Sequence, residues 1–501
     1  MALEYQHVAN GNKRLRVRPL NANSLARDQA MWVVGIIFGA MTLLCPVDGA
    51  VSLPLGELSS ESYALIAILS APAVLFLMIT TKTFRLPKDL TLILVLMIVT
   101  IILSIAANLP EILSAATKGR HGLEKAISSS LVPMLGMYVA LLTRNVVPYN
   151  INRYFVNPTL IGSAVVAAIG LLEVAAIYIG SLRGLSDRIY LLTHAGLADS
   201  KVAVLQSAGV TDPRISSVLF EPADFGTYVI YITPWLMAVL LSRESNYGRR
   251  IPVIFKKLTI LFILAALFVS ALFSGRTAAV GMPVMAVGYI GLCWFAWLSF
   301  NRVLNKVMCS IVMLVGIIFY VLPVALILAF KDPIVTLVVS GGTVSNITRF
   351  GTTIILLDLF RDNPIFGVGM GQYGFYVAEY VPYWAYTYEF QRWLGDLRSS
   401  FFPSFAVFAR LAGELGVFGL VTWVCFLAVL LYRVFKNLRV AYLSSGAFPY
   451  YGVAVATSFF SIAVSGVGMA SYRVFWLWAV LGLASIYALN PQFIDLKRPS
   501  R

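Results

Sequence analysis

A handful of charged side chains stand where the sequence around them is apolar: Arg214, Glu221, Arg276, Arg349, Arg410, Glu414 and Arg473. Arginine presents a planar fork of donors that binds phosphate through paired hydrogen bonds, and it stays charged at any working pH. A carboxylate held partly out of water gains basicity and becomes able to take a proton from a hydroxyl. These residue types suit a reaction with a phosphate or diphosphate leaving group and an alcohol nucleophile. Each also has a plainer explanation. Arg276, in SALFSGRTAAVGM, would reach up to lipid headgroups. Glu221-Pro222 reads as a helix start, where the dipole favours an acid and the first turn accommodates proline. Arg410 and Glu414 lie four apart and share a helix face, so an ion pair explains them, although arginine before glutamate is the weaker order. Glu173, in GLLEVAAIY, is the only acid within its apolar run; it serves either as a helix–helix hydrogen bond or as a working group.

The elements that must position these residues are apolar helices. Of the 501 residues, 59% are hydrophobic and 12% charged, and the mean hydropathy is +0.83. A soluble domain carries about twice that charge fraction. The composition defines an all-α polytopic membrane protein. Apolar runs of crossing length fall near 31–47, 63–80, 90–107, 127–143, 155–180, 219–242, 258–274, 277–298, 307–330, 409–432, 449–470 and 474–489, about twelve transmembrane helices. The first follows a polar, basic stretch and reads as an uncleaved span. The domains are then a basic N-terminal tail over 1–30, one transmembrane domain over 31–490 and a C-terminal tail over 491–501. The net charge of +15 comes without a basic cluster interleaved with aromatics, so no nucleic-acid partner is expected; the lipid bilayer is. Cys45, Cys293, Cys309 and Cys425 sit in apolar runs without CxxC spacing, which points to neither a metal site nor a disulfide framework. No metal and no cofactor are expected.

Lysine and arginine concentrate in alternate connections when both termini are placed in the cytoplasm, with clusters at 13–18, 243–257, 433–439 and 497–501. The two long connections, about 181–218 and 331–408, then face outward, and long loops in a compact fold are usually functional. Arg214, Arg276, Arg349 and Arg473 fall on that same side, which suggests recognition of a lipid-linked phosphate or diphosphate. Gly367, Gly369 and Gly371, in NPIFGVGMGQYG, also face outward, away from cytoplasmic nucleotides. The run lacks the GxGxxG fingerprint behind a strand and the GK[ST] ending of a phosphate loop. It is either a turn that needs glycine or a place where backbone approaches a ligand closely.

Four stretches resemble the O-antigen polymerase and ligase superfamily, taken in order along the chain. They are RISSVLFEPADFGTYV (214–229), FSGRTAAVGMP (273–283), TRFGTTIILLDLFRDNPIFGVGMGQYG (348–374) and FARLAGELGVFG (408–419). The resemblance implies a C-type glycosyltransferase-like fold with two long periplasmic loops, in the bacterial inner membrane. It implies a polyprenyl-diphosphate-linked oligosaccharide as substrate, with a chain-length regulator and a flippase as partners. Ligases and many relatives carry a histidine about nine residues before the glutamate of the fourth stretch. That position is Phe405 here, and the histidines are His7, His121 and His194. This departure favours a repeat-unit polymerase of exopolysaccharide, capsule or O-antigen over an O-antigen ligase. A flippase for lipid-linked oligosaccharides is the rival from another class; it would show internal repeats and short loops on both sides, which the sequence does not. On the polymerase reading, Arg214, Arg276, Arg349 and Arg473 bind the diphosphate. Gly367, Gly369 and Gly371 line its cavity, and Glu221 or else Glu414 is the base.

Overall fold

The structure, a computed structural model, describes residues 22–47, 61–81, 88–193, 215–219, 222–242, 253–300, 331–341, 344–395, 401–445, 448–466 and 473–489, with positions 314 and 329. These residues form an all-α, multi-pass membrane protein. Among them, seven helices are long and apolar enough to cross a bilayer: Ser62–Thr80, Gly122–Tyr149, Asn152–Tyr178, Pro222–Leu241, Ile254–Ser274, Thr277–Phe300 and Val407–Leu443. Three shorter apolar helices, Thr91–Ala107, Tyr450–Ile462 and Phe475–Ala488, coincide with further expected spans. The span expected at 307–330 lies outside the described residues.

We label the helices in chain order: α1 Ala22–Leu44, α2 Ser62–Thr80, α3 Lys88–Ala107, α4 Leu109–Ser114, α5 Gly122–Val146, α6 Asn157–Tyr178 and α7 Arg183–Thr193. They continue as α8 Pro222–Leu241, α9 Val253–Ser274, α10 Arg276–Phe300, α11 Lys331–Gly341, α12 Val344–Asp362, α13 Tyr373–Tyr380 and α14 Tyr388–Gly395. The last are α15 Val407–Ser445, α16 Tyr450–Gly466 and α17 Phe475–Leu489. A two-residue hairpin, β1 Ala116–Thr117 with β2 Arg120–His121, joins α4 to α5. α1 starts at Ala22, inside the stretch expected to be tail, and Arg27 there donates to the Tyr149 hydroxyl at 3.1 Å. Helical periodicity thus outlasts the apolar run that signalled it.

Small residues let the helices meet. Gly136 of α5 faces the Trp478 indole of α17, and Gly226 of α8 lies against the Ala278 backbone of α10. Without a hydrophobic drive between helices in lipid, such close backbone approach is what holds them together. Aromatic rings fill the centre: Phe155 meets Trp235 edge-on at 4.7 Å and Trp476 at 5.7 Å.

The described residues of 331–408, expected as a loop, form four helices, α11 to α14, and α12 to α14 share a core with the start of α15. Leu356, Tyr373, Val377, Phe390, Trp393 and Phe402 are buried there. Apolar side chains at helical spacing in this stretch bury one another, which a structureless loop of that length would leave exposed.

The glycine run is explained by a broken helix. α15 kinks at Gly416, where φ is +66° and ψ −162°, so backbone groups on either side lose their helical partners. The turn after α12 supplies replacements. Val368 N donates to Gly413 O and Gly369 N to Glu414 O, both at 3.0 Å, while Val417 N donates to Pro364 O at 2.8 Å. From α3, Ser104 Oγ donates to Phe366 O and Glu414 O, and Asn108 Nδ2 to Gly367 O. A Cβ on Gly367, whose φ is +65°, would lie 2.6 Å from the carbonyl oxygens of Gly413 and Glu414. Gly367→Ala therefore costs the left-handed conformation, about 1–2 kcal/mol, and disturbs two buried hydrogen bonds worth about 1 kcal/mol each. We expect a loss of more than about 2 kcal/mol, checked by unfolding of the purified protein in mild detergent; unchanged stability would contradict this docking.

Candidate functional site

The described residues around the sequence-selected positions fall in three places. The first is the stretch 215–219 together with the end of α9. Arg214 and Glu221 lie outside the described residues, but the chain between them is held on two sides. Ile215 N donates to Phe273 O, and Ser274 Oγ to Pro222 O, both at 3.2 Å. This stitches the stretch to the end of α9, two residues from Arg276, the first residue of α10. On the other side, Glu173 of α6 accepts from Ser216 N at 3.2 Å and Ser217 N at 2.9 Å. Ser217 adopts a φ of +57°, costly for a residue other than glycine, and its hydroxyl donates to Val166 O. The expected helix–helix hydrogen bond is not what forms: two successive N–H groups of a non-helical stretch converge on one carboxylate oxygen of Glu173, an anion cradle occupied by the protein itself.

The second group holds Arg473 just before α17. Its Nε lies 3.1 Å from Glu61 Oε1 and its Nη2 3.8 Å from Asp224 Oδ2, in the first turn of α8. The Tyr63 hydroxyl donates to its carbonyl. Arg473 thus ties the starts of α2, α8 and α17 together.

The third group surrounds the kink. Arg410 Nε and Glu414 Oε2 are 3.0 Å apart, and the two residues are only 4% and 1% exposed. Neither reaches open solvent. Tyr373, buried beside them, keeps its proton: burial first, and the nearby Glu414 carboxylate second, push its phenol well above the ordinary value. Arg349 of α12 stands with its guanidinium 4.9 Å over the Phe405 ring, which stacks on Trp393. Gly367, Gly369 and Gly371 all have positive φ. Their close approaches are to Glu414, Ile112 and Ser129 of the protein.

Ser104 and Asn108 were missed by sequence reasoning, as was Gln372, whose Nε2 donates to Gly122 O at 2.9 Å. A serine and an asparagine four apart at the end of an apolar run were the available signal, since polar groups in lipid need partners. Lys118 and Lys125 were also missed; the Nζ of each lies 4.9 Å over a phenylalanine ring, Phe402 and Phe401 respectively.

This arrangement defines a multi-pass, all-α membrane protein whose described site candidates include the ion pairs Arg410–Glu414 and Arg473–Glu61. The sequence matches no protein-family model, and no curated protein is similar enough to count as a relative.

Proposed function

We propose that the protein is a membrane glycosyltransferase that polymerises polyprenyl-diphosphate-linked oligosaccharide repeat units into a surface polysaccharide. It works at the periplasmic face of the bacterial inner membrane, with both termini cytoplasmic. The observation that supports this most is the contact of Arg349 with Phe405. A cation chosen for the diphosphate and the site of the superfamily's histidine are thereby in contact.

In the reaction, the acceptor hydroxyl oxygen attacks the anomeric carbon of the donor glycan. The bond from that carbon to the diphosphate oxygen breaks, and the diphosphate leaves on its polyprenyl chain. Preorganised cations in a low-dielectric site stabilise the charge that grows on it, usually the largest single contribution to such catalysis. Arg214, Arg276, Arg349 and Arg473 take that role. The hydroxyl proton passes to Glu221. Glu414, sealed against Arg410, is the second choice for that proton.

Arg276→Lys keeps a positive charge but loses the bidentate fork. We expect it to lose most polymerisation, about tenfold or more, when purified enzyme extends lipid-linked repeat units in vitro at equal protein level. Wild-type activity would return Arg276 to a headgroup-seeking role. Glycans from a deletion strain test the function itself: single repeat units left on lipid support the polymerase, whereas full-length polymer stranded on its carrier supports the ligase.

A further inference from the structure

α7 leaves the end of α6 through the 3₁₀ turn Gly180–Leu182, and none of its 11 residues is buried. Its apolar residues are nonetheless ordered. Leu182, just ahead of the helix, and Leu185, Ile189 and Leu192 within it are spaced three, four and three apart, which lines them along one face. Arg183 and Asp187, four apart, share the opposite face. Leu192 is 76% exposed.

Such a helix has little to hold it together in water. Isolated helices shorter than about 12–15 residues are marginal there, and most helical stability in proteins comes from covering an apolar face. α7 also carries Gly184 in its first turn, at about 1 kcal/mol relative to alanine in a helix interior. That turn holds Arg183 and no acid, the wrong charge for the positive end of the helix dipole. Among the described residues none covers the Leu185–Leu192 stripe, so the helix needs cover from elsewhere.

The position of α7 shows what that cover is. α6 is long and apolar enough to cross a bilayer, and its last turn presents apolar surface outward at Ile177 and at Tyr178, which is 72% exposed. Arg183 Nε donates to Ala176 O at 3.3 Å, which ties the start of α7 to that same turn. The apolar stripe therefore begins at the depth where a membrane span ends. Tyr178 and Tyr190 flank the junction, and tyrosine is enriched at the boundary between membrane and water. A leucine-rich face opposite a charged one is the composition of a helix that lies in the plane of a bilayer surface.

We propose that α7 is an interfacial helix, lying on the bilayer with Leu185, Ile189 and Leu192 inserted among the lipids of the leaflet where α6 ends. The partner is a lipid surface. Arg183 and Asp187 turn toward water, and the inserted side chains sit about 5–10 Å into the boundary between headgroups and acyl chains. The inference is independent of the glycosyltransferase reading, since it rests on the helix and its neighbouring span alone.

The test is spin-label accessibility in the full-length protein held in phosphatidylcholine nanodiscs. Single cysteines enter as Leu185→Cys, Asp187→Cys, Ile189→Cys and Leu192→Cys, in a background with Cys45, Cys293, Cys309 and Cys425 replaced by alanine. Oxygen partitions into lipid and a nickel chelate into water. Labels at 185, 189 and 192 are expected to collide with oxygen several-fold more, relative to nickel, than the label at 187. Nickel reaching all four positions alike places α7 in water and overturns the proposal. Exclusion of both reagents from 185, 189 and 192 means that protein covers the stripe, and overturns it too. Should the cysteine-free protein fail to fold, Leu192→benzoylphenylalanine in the otherwise native chain decides the question by photocrosslinking. Adducts with lipid acyl chains support the interfacial helix; adducts with protein, or none, reject it.

Discussion

Glu414→Ala is expected to destabilise the protein by about 3–5 kcal/mol, because it removes the carboxylate from a guanidinium that is itself almost fully buried. The ion pair lies at the kink of α15, so the cost falls where the helix is already interrupted and depends on the docked turn. Resistance to unfolding of the purified protein in mild detergent is the measurement. A double variant, Arg410→Met with Glu414→Leu, removes both charges and keeps roughly the same volume. Buried pairs replaced in this way are often neutral or stabilising, so it should recover most of the loss. The double variant also separates structure from chemistry. If Glu414 only anchors α15, the recovered protein keeps its turnover; if Glu414 takes the proton, stability returns without activity. Wild-type stability in Glu414→Ala alone would mean that the pair does not hold the kink.

Glu221→Gln is expected to lower turnover about 10²–10⁴-fold, the usual worth of general acid–base catalysis. The amide keeps the size of the side chain and its place before Pro222 while abolishing basicity. Binding of the lipid-linked donor should survive, since the arginines that grip the diphosphate remain. A capping role predicts the opposite division: a modest loss of protein, about 1 kcal/mol, with near-normal turnover of what remains. Measuring donor binding and turnover on the same purified sample distinguishes the two. Near-normal turnover rejects Glu221 as the base and moves the question to Glu414 or to transfer assisted by the substrate.

Much of the candidate site was legible residue by residue. The four-residue spacing of Arg410 and Glu414 announced their ion pair, and the glycines at 367, 369 and 371 announced a backbone that must come close to something. Their partners were not legible. The turn at 367–369 meets Glu414, and the Ser104 hydroxyl that completes the junction lies 310 residues away from it. Glu173 stood out as a lone acid in an apolar run, yet nothing near it in sequence pointed to the N–H groups of Ser216 and Ser217. Arg473 looked solitary because Glu61 and Asp224 belong to other helices. The helical cap over 331–408 was read as a loop because its apolar residues are too few to cross a bilayer, although they suffice for a small core.

By itself the sequence determined that this is an all-α membrane protein, and roughly where its helices run. Hydropathy and helical periodicity are sums over neighbouring residues, and in lipid every backbone polar group must be satisfied within its own segment, so local sequence dictates the element. The tertiary structure alone decided that α15 breaks at Gly416, that the glycine turn repairs the break, and that Lys118, Lys125 and Arg349 each stand over a different phenylalanine ring. Those outcomes depend on which helices become neighbours. Charge compensation, close backbone approach and the capture of freed carbonyls act only over a few ångströms in space, whatever the separation along the chain.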